Sequence, residues 1–236
     1  MRAPAQRKFT RRSASPICGR RCCAPTRGRG GLQRERMERP MTDHVRLTVG
    51  RLTRLREAIA REQLDALLVS QPENRRYLSG FTGSAGWLVI SADLALFATD
   101  FRYFGQVELE CPDFELVKMP AKAVEVLPPM LARVTGRRIG FEADHATYAN
   151  VQDWATAVPD CEWVPTRGLV TALRAVKDAS ELAAARRAVA LTDEALAAVA
   201  PQLRPGMTER EAAWRIESYM RTHGADGVAF DLIVAA

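Results

Sequence analysis

No apolar run in the 236-residue chain approaches the roughly 18 to 20 residues of a membrane-spanning helix. The N-terminus also lacks the apolar stretch that a secretory signal needs. These two absences exclude a helical membrane protein and predict a soluble, cytoplasmic body. Cysteine is scarce: Cys18, Cys22 and Cys23 fall in the first 40 residues, and only Cys111 and Cys161 lie beyond them. Two separated body thiols suit a reducing compartment and read as core thiols. The C-x3-C-C cluster, with no histidine and no second pair, lacks the ligand spacing of a zinc site. Acidic residues are nearly missing from Met1–Pro40, which holds 12 Lys and Arg against Glu35 and Glu38. The net charge of the whole chain is only +6, so the remainder is net acidic, which argues against a dedicated nucleic-acid-binding domain.

Residues 1–40 also have almost no large apolar side chains and are expected to be disordered. Three origins fit this basic tail: an Arg-rich organelle transit segment, an arm that touches nucleic acid, or sequence upstream of a true start at Met37 or Met41.

Beyond the tail, extended and helical patterns alternate. Val45, Leu52, Leu55, Ile59 and Leu64 mark an amphipathic helix, and Ala66–Ser70 reads as a short buried strand. A short helix over 71–78 enters through Pro72. "GWLVISADLALFATD" predicts two strands joined at Ala92-Asp93 as a hairpin. A helix over 101–110, the strand "FELVKM", a helix over 121–134 interrupted by Pro128-Pro129, the strand "RIGFE", a helix near 148–158 and the strand "CEWVP" complete this part. Hairpin and βα units together imply a mixed sheet flanked by helices. Near Lys177 the pattern changes to a long Ala-rich helix opened by Asp178 and Glu181, and Pro205-Gly206 stops it. A second helix opens with a capping box at Thr208–Glu211 and ends at His223-Gly224, and "GVAFDLIVAA" then reads as an apolar strand in which the sequence stops.

Gly80, Gly83 and Gly86 precede the hairpin in "YLSGFTGSAGWLVI". A dinucleotide-binding loop needs G-x-G-x-x-G after a strand and before a helix; these glycines are spaced differently and lead into a strand. No Gly-Lys-Ser/Thr follows, so the phosphate-loop reading fails as well. A turn that feeds the sheet is the better account.

"NRRYLSGFTGSAGWLVI", "TDFRYFGQVELE" and "IGFEADHATY" together resemble the N-terminal domain of the creatinase, prolidase and aminopeptidase P family. Phe81-Thr82-Gly83-Ser84 and Thr99-Asp100-x-Arg102-Tyr103 are most similar to its aminopeptidase P branch. The resemblance continues through "LVTALRAVKDASELAAARRAVALTDEAL" and "GMTEREAAWRIESYMRTHGADGVAFDLIVA", and covers Leu47 to Ala236. It implies an α/β creatinase-type N-terminal domain with a mixed sheet over 41–170, followed by a linker helix and an incomplete α+β pita-bread domain over 171–236. It also implies removal of the residue before a proline, by a water activated between two divalent ions, manganese or cobalt. The family builds that centre from two aspartates, one histidine and two glutamates, all of which follow the segment that resembles "FDLIVAA". The expectation is therefore that these residues bind no metal and that the chain is inactive by itself.

By the same resemblance, Arg102 and Tyr103 are candidates for recognising the peptide's end, and Phe230 and Asp231 are substrate-binding candidates where the family chain turns into the metal cleft, the Phe230 ring for lining the proline pocket. A structural ion pair, a core aromatic and ordinary strand packing are the plain alternatives. Glu142, Asp144 and His145 could in principle ligate a metal, but on a loop after a strand they read as a solvated cap. His223 suits a helix C-terminus, His44 has no neighbour in sequence to act with, and Asp93, Asp100 and Asp113 read as turn formers. Two functions remain: part of an Xaa-Pro aminopeptidase-like metallopeptidase acting on proline-containing peptides, with a homodimer implied, or a non-catalytic module of the same fold for oligomerisation or peptide binding.

Overall fold

The computed structural model describes residues 43–235, with side chains from Thr48 onward. The expectations for the basic tail, its three cysteines, Met37 and Met41 lie outside the described residues. So do the side chains of His44 and Val45.

Helix α1 spans Asp43–Arg61. Leu52, Leu55 and Ile59 recur at helical spacing and are buried together with Leu64. After α1 come β1 (Ala66–Val69), α2 (Pro72–Ser79), β2 (Trp87–Ser91), β3 (Ala95–Thr99), a 3-10 turn at Phe101–Tyr103, α3 (Phe104–Glu110) and β4 (Glu115–Lys118). The chain continues with α4 (Leu127–Leu131), β5 (Arg138–Glu142), α5 (Tyr148–Ala157), β6 (Glu162–Thr166), α6 (Leu169–Ala175), α7 (Ala179–Val199) and α8 (Glu209–Thr222).

The six strands form one mixed sheet in the order β4-β3-β2-β1-β5-β6. Only β2 runs antiparallel to its neighbours, because the β2–β3 hairpin turns back on itself; the β3–β4, β1–β5 and β5–β6 pairs are parallel. After β1 the chain builds outward to β4, then crosses back to add β5 and β6 on the other side of β1. Adjacent β1 and β5 are thus the point at which the winding direction changes.

Every residue of β1 is fully buried, since alternate side chains enter two different cores. Leu67 and Val69 join α1, α2 and the Val107–Phe114 segment on one face. Ala66 and Leu68 join Leu127, Met130 and Leu131 of α4 and Trp154 of α5 on the other. On that second face Trp154 lies 6.1 Å from Trp87, 5.8 Å from Phe141 and 5.6 Å from Trp163, measured between ring centroids.

The glycine segment acts as punctuation, as the spacing predicts. Gly80 caps α2 in the left-handed region at φ 78°, and its N–H donates to the Arg76 carbonyl. Gly86 enters β2 at φ 154°, where an added Cβ would stand 2.9 Å from the Ala98 carbonyl oxygen.

Three local readings change. Pro128 and Pro129 do not interrupt a helix: they occupy the first turn of α4, where the missing N–H costs nothing, and the segment before it is a 3-10 turn. The "LVTALRA" segment forms α6, a helix the pattern did not announce; Tyr77 Oη reaches its Leu173 carbonyl and Arg174 reaches Asn74. Asp178 and Thr208 both close capping boxes as expected. The expected strand over 227–236 is not formed over 227–235, because no described strand lies beside it to pair with; Phe230 and Ile233 there are 75% and 90% exposed.

Candidate functional site

Two separate places carry the residues singled out from the sequence. The first follows β3. Asp100 caps the 3-10 turn by accepting from the Arg102 N–H, and it also binds the Arg102 side chain, accepting from Nε and Nη2 at 2.8 Å each. That pairing holds the Asp100 carboxyl at about 2 and raises Arg102 further above its ordinary value. The side edge of the guanidinium is therefore occupied, and its end edge is left open. Tyr103 packs edge-on against Phe81, with ring centroids 5.5 Å apart, and its hydroxyl lies 2.8 Å from Ser84 Oγ. The hydrogen bond to Ser84 lowers the Tyr103 phenol from its ordinary value.

This edge is braced from below by a residue the sequence reading passed over. Arg75 is buried at 3% exposure, and its guanidinium donates to the Gly86 carbonyl at 2.7 Å and the Gly83 carbonyl at 3.1 Å. Burial lowers its pKa, with Glu73 and Glu142 opposing. Beside it, Thr82 donates to Glu110 through both N–H and hydroxyl, and Gln106 Nε2 joins the same group. Neither feature has a signal in the sequence pattern, because the partners are loop carbonyls and a carboxylate from a later helix.

The second place is the groove beside α7 and α8. Phe230 lines it with Leu191, Met220 and Leu232, around a volume of about 210 Å³. Asp231 is exposed next to it. Among the described residues no hydrogen bond, ion pair or ring contact joins Arg102 or Tyr103 to Phe230 or Asp231.

The loop after β5 differs from its reading. Asp144 and His145 are exposed, as a solvated cap would be, but Glu142 is buried at 8%. Its carboxylate accepts from Ser70 N at 2.8 Å, Gln71 N at 2.7 Å and Asn74 Nδ2 at 2.6 Å. It anchors the start of α2 and does not face solvent. Among the described residues no group of three or more His, Cys, Asp or Glu side chains could hold a metal ion. With Glu142 so engaged, the Glu142–Asp144–His145 trio does not fit a metal either. Cys111 is a buried core thiol pushed up to about 12 by desolvation, which keeps it protonated and unreactive.

Comparison with known proteins follows the same two-part division. Residues 51–176 match the family described as the Creatinase/Prolidase N-terminal domain. The chain belongs to the creatinase/prolidase family. Residues 183–236 further match Metallopeptidase family M24. A creatinase/prolidase relative, the uncharacterized peptidase YqhT of Bacillus subtilis, is 34% identical over 186 residues, 79% of this chain and 53% of that protein. The Xaa-Pro dipeptidase from Bacillus anthracis superposes with a TM-score of 0.74 at 32% identity, covering 78% of this chain and 52% of that one. The X-Pro aminopeptidase from Thermotoga maritima gives a TM-score of 0.68 at 31% identity, covering 76% and 51%. The chain thus spans about half the length of these relatives. The fold is the family's N-terminal α/β domain together with part of its pita-bread domain.

In this family member, Arg51 ties the sheet domain to the first helix of the M24 segment. Its guanidinium donates to the Tyr77 carbonyl at 2.9 Å and to Asp178 Oδ2 at 2.8 Å, lies 3.6 Å from Glu181 Oε1 and stacks 4.3 Å over the Tyr77 ring. Asp178 is also the N-cap of α7, accepting from Ser180 N and Glu181 N. Burial raises the Asp178 pKa, but those hydrogen bonds and Arg51 outweigh it and hold the carboxyl well below its ordinary value. A depressed pKa contributes stability above the unfolded value and loses it as pH falls below that value, here below about 4. Asp178→Ala is expected to destabilise by about 1–2 kcal/mol at pH 7, through loss of cap and ion pair, with the difference shrinking by pH 2.5. Urea melts at the two pH values check this; an equal cost at both would remove the charge from the account.

Proposed function

We propose that these residues supply the N-terminal domain and the opening of the catalytic domain of a cytoplasmic Xaa-Pro peptidase, which hydrolyses the bond before proline and works as a homodimer. What supports this reading is one observation: the chain matches an N-terminal creatinase/prolidase domain and then an M24 metallopeptidase segment in family order, and its relatives include an Xaa-Pro dipeptidase and an X-Pro aminopeptidase. We assign Arg102 and Tyr103 to the rim of the peptide site, through the open end edge of the guanidinium and the Ser84-oriented phenol. Phe230 supplies an apolar wall and Asp231 a neighbouring carboxylate. The described residues do not fit the two manganese or cobalt ions such a reaction uses, so no catalytic step is assigned to them, and the chain is proposed to be inactive by itself.

The test pairs two samples, the 236-residue chain and the protein purified from its native source, each assayed on Xaa-Pro dipeptides and longer Xaa-Pro peptides with added manganese or cobalt. Cleavage by the native protein alone is the expected result. Turnover by the 236-residue chain would overturn its inactivity. Lack of turnover in both would favour the non-catalytic oligomerisation or peptide-binding module.

A further inference from the structure

The outer face of the turn at 101–103 and of α3 carries apolar groups that no contact within the chain accounts for. Phe101 and Leu109 are 80% and 79% exposed, whereas Val107 on the other side of the helix is buried. Helical spacing puts Phe101, Gly105 and Leu109 on one stripe, flanked by the exposed Arg102 and Glu108. Single exposed apolar residues are ordinary, but the glycine between these two is not. A Cβ at Gly105 would meet nothing within 4 Å, and its φ lies outside the left-handed region. Neither internal packing nor turn geometry therefore requires a residue that weakens a helix relative to alanine. What glycine does allow at an outward position is close approach by another backbone.

The stripe is complementary to itself. Phe101 and Leu109 each lie four residues from Gly105, and Arg102 and Glu108 each lie three. A two-fold axis beside Gly105 gathers Phe101 and Arg102 of one copy with Leu109 and Glu108 of the other, and repeats the same contact at the opposite end. Apolar groups meet apolar groups, and each cation lies near an acid. A parallel arrangement would set Arg102 beside Arg102 and Glu108 beside Glu108. Opposite charges at the periphery fix orientation without a direct bond, so the end edge of the Arg102 guanidinium stays free.

We propose that this face of α3 is where two copies of the chain meet, antiparallel about Gly105. The inference rests on the homodimer reading above and names its surface. The test is sedimentation equilibrium of the 236-residue chain from about 5 to 500 μM, the range suited to so short a contact. A monomer–dimer equilibrium is expected. Leu109→Glu should weaken it about tenfold or more, and Glu108→Arg about fivefold by opposing two cations. Gly105→Ala should raise the melting midpoint at the lowest concentration by about 2 °C yet weaken dimerisation about tenfold, whereas a plain surface glycine would show only the first effect. Val189→Glu, at a 60% exposed position of α7, should leave the equilibrium unchanged. A dimer that survives Leu109→Glu and Gly105→Ala, or that Val189→Glu dissolves instead, would overturn the α3 surface and leave the homodimer reading standing. A wild-type chain that stays monomeric throughout would overturn it as well, and sedimentation of the protein from its native source then decides the homodimer reading separately.

Discussion

Trp154→Ala is expected to remove about 3–5 kcal/mol of stability, the largest effect of any single truncation in the sheet domain. The indole is 2% exposed and meets Trp87, Phe141 and Trp163 at once, so its loss empties the middle of one of the two cores and leaves three aromatic partners without the edge they pack on. The contacts come from β2, β5 and β6, and no single shift of α5 can refill the space. Guanidinium melts followed by tryptophan fluorescence and by far-UV circular dichroism measure the change. A cost below about 1 kcal/mol would mean that α5 does not seal this face.

Glu142→Ala follows in size, at about 2–4 kcal/mol, by a different route. Removing the carboxylate leaves Ser70 N–H, Gln71 N–H and Asn74 Nδ2 facing a space with no acceptor, and unmet buried donors cost more than the original bonds contribute. Glu142→Gln should be milder, because one oxygen survives while the new NH2 opposes at least one existing donor. A neutral Glu142→Ala would show that the start of α2 does not depend on this anchor. Because glutamine fills the same space, the cost of Glu142→Gln reports lost hydrogen bonding and charge at constant volume, and the further cost of Glu142→Ala adds the lost volume and the last acceptor.

These two residues also mark what could be read from the sequence. Trp154 lies in a stretch predicted as a helix, and the β1, β2–β3, β5 and β6 segments announce themselves by runs of apolar residues bounded by turn formers. The capping boxes at Asp178 and Thr208 are local chemistry, visible three residues apart. Glu142 is different: its burial is decided by Ser70 and Gln71, which reach it only because β1 and β5 pair in parallel, and no local pattern encodes that pairing. Arg75 escaped for the same reason, since its partners are two loop carbonyls and not a nearby acid. At the candidate rim, Arg102 and Tyr103 were named from resemblance, whereas Asp100 read only as a turn former and proves to occupy one edge of Arg102. The expected strand at 227–235 has a strand's composition, but a strand is a pairing, and composition alone does not supply the neighbour.

The order in which the sheet is wound has a consequence for how the chain matures. Strands β1 to β4 emerge consecutively and can assemble around a local hairpin while synthesis continues. The other side of β1 must wait for β5, which pairs with it only after Arg138 has been made. During that interval the nascent chain presents an apolar strand with a bare hydrogen-bonding edge, and this is the stage at which a holding chaperone, or a premature encounter with another nascent chain, would have the greatest effect on yield.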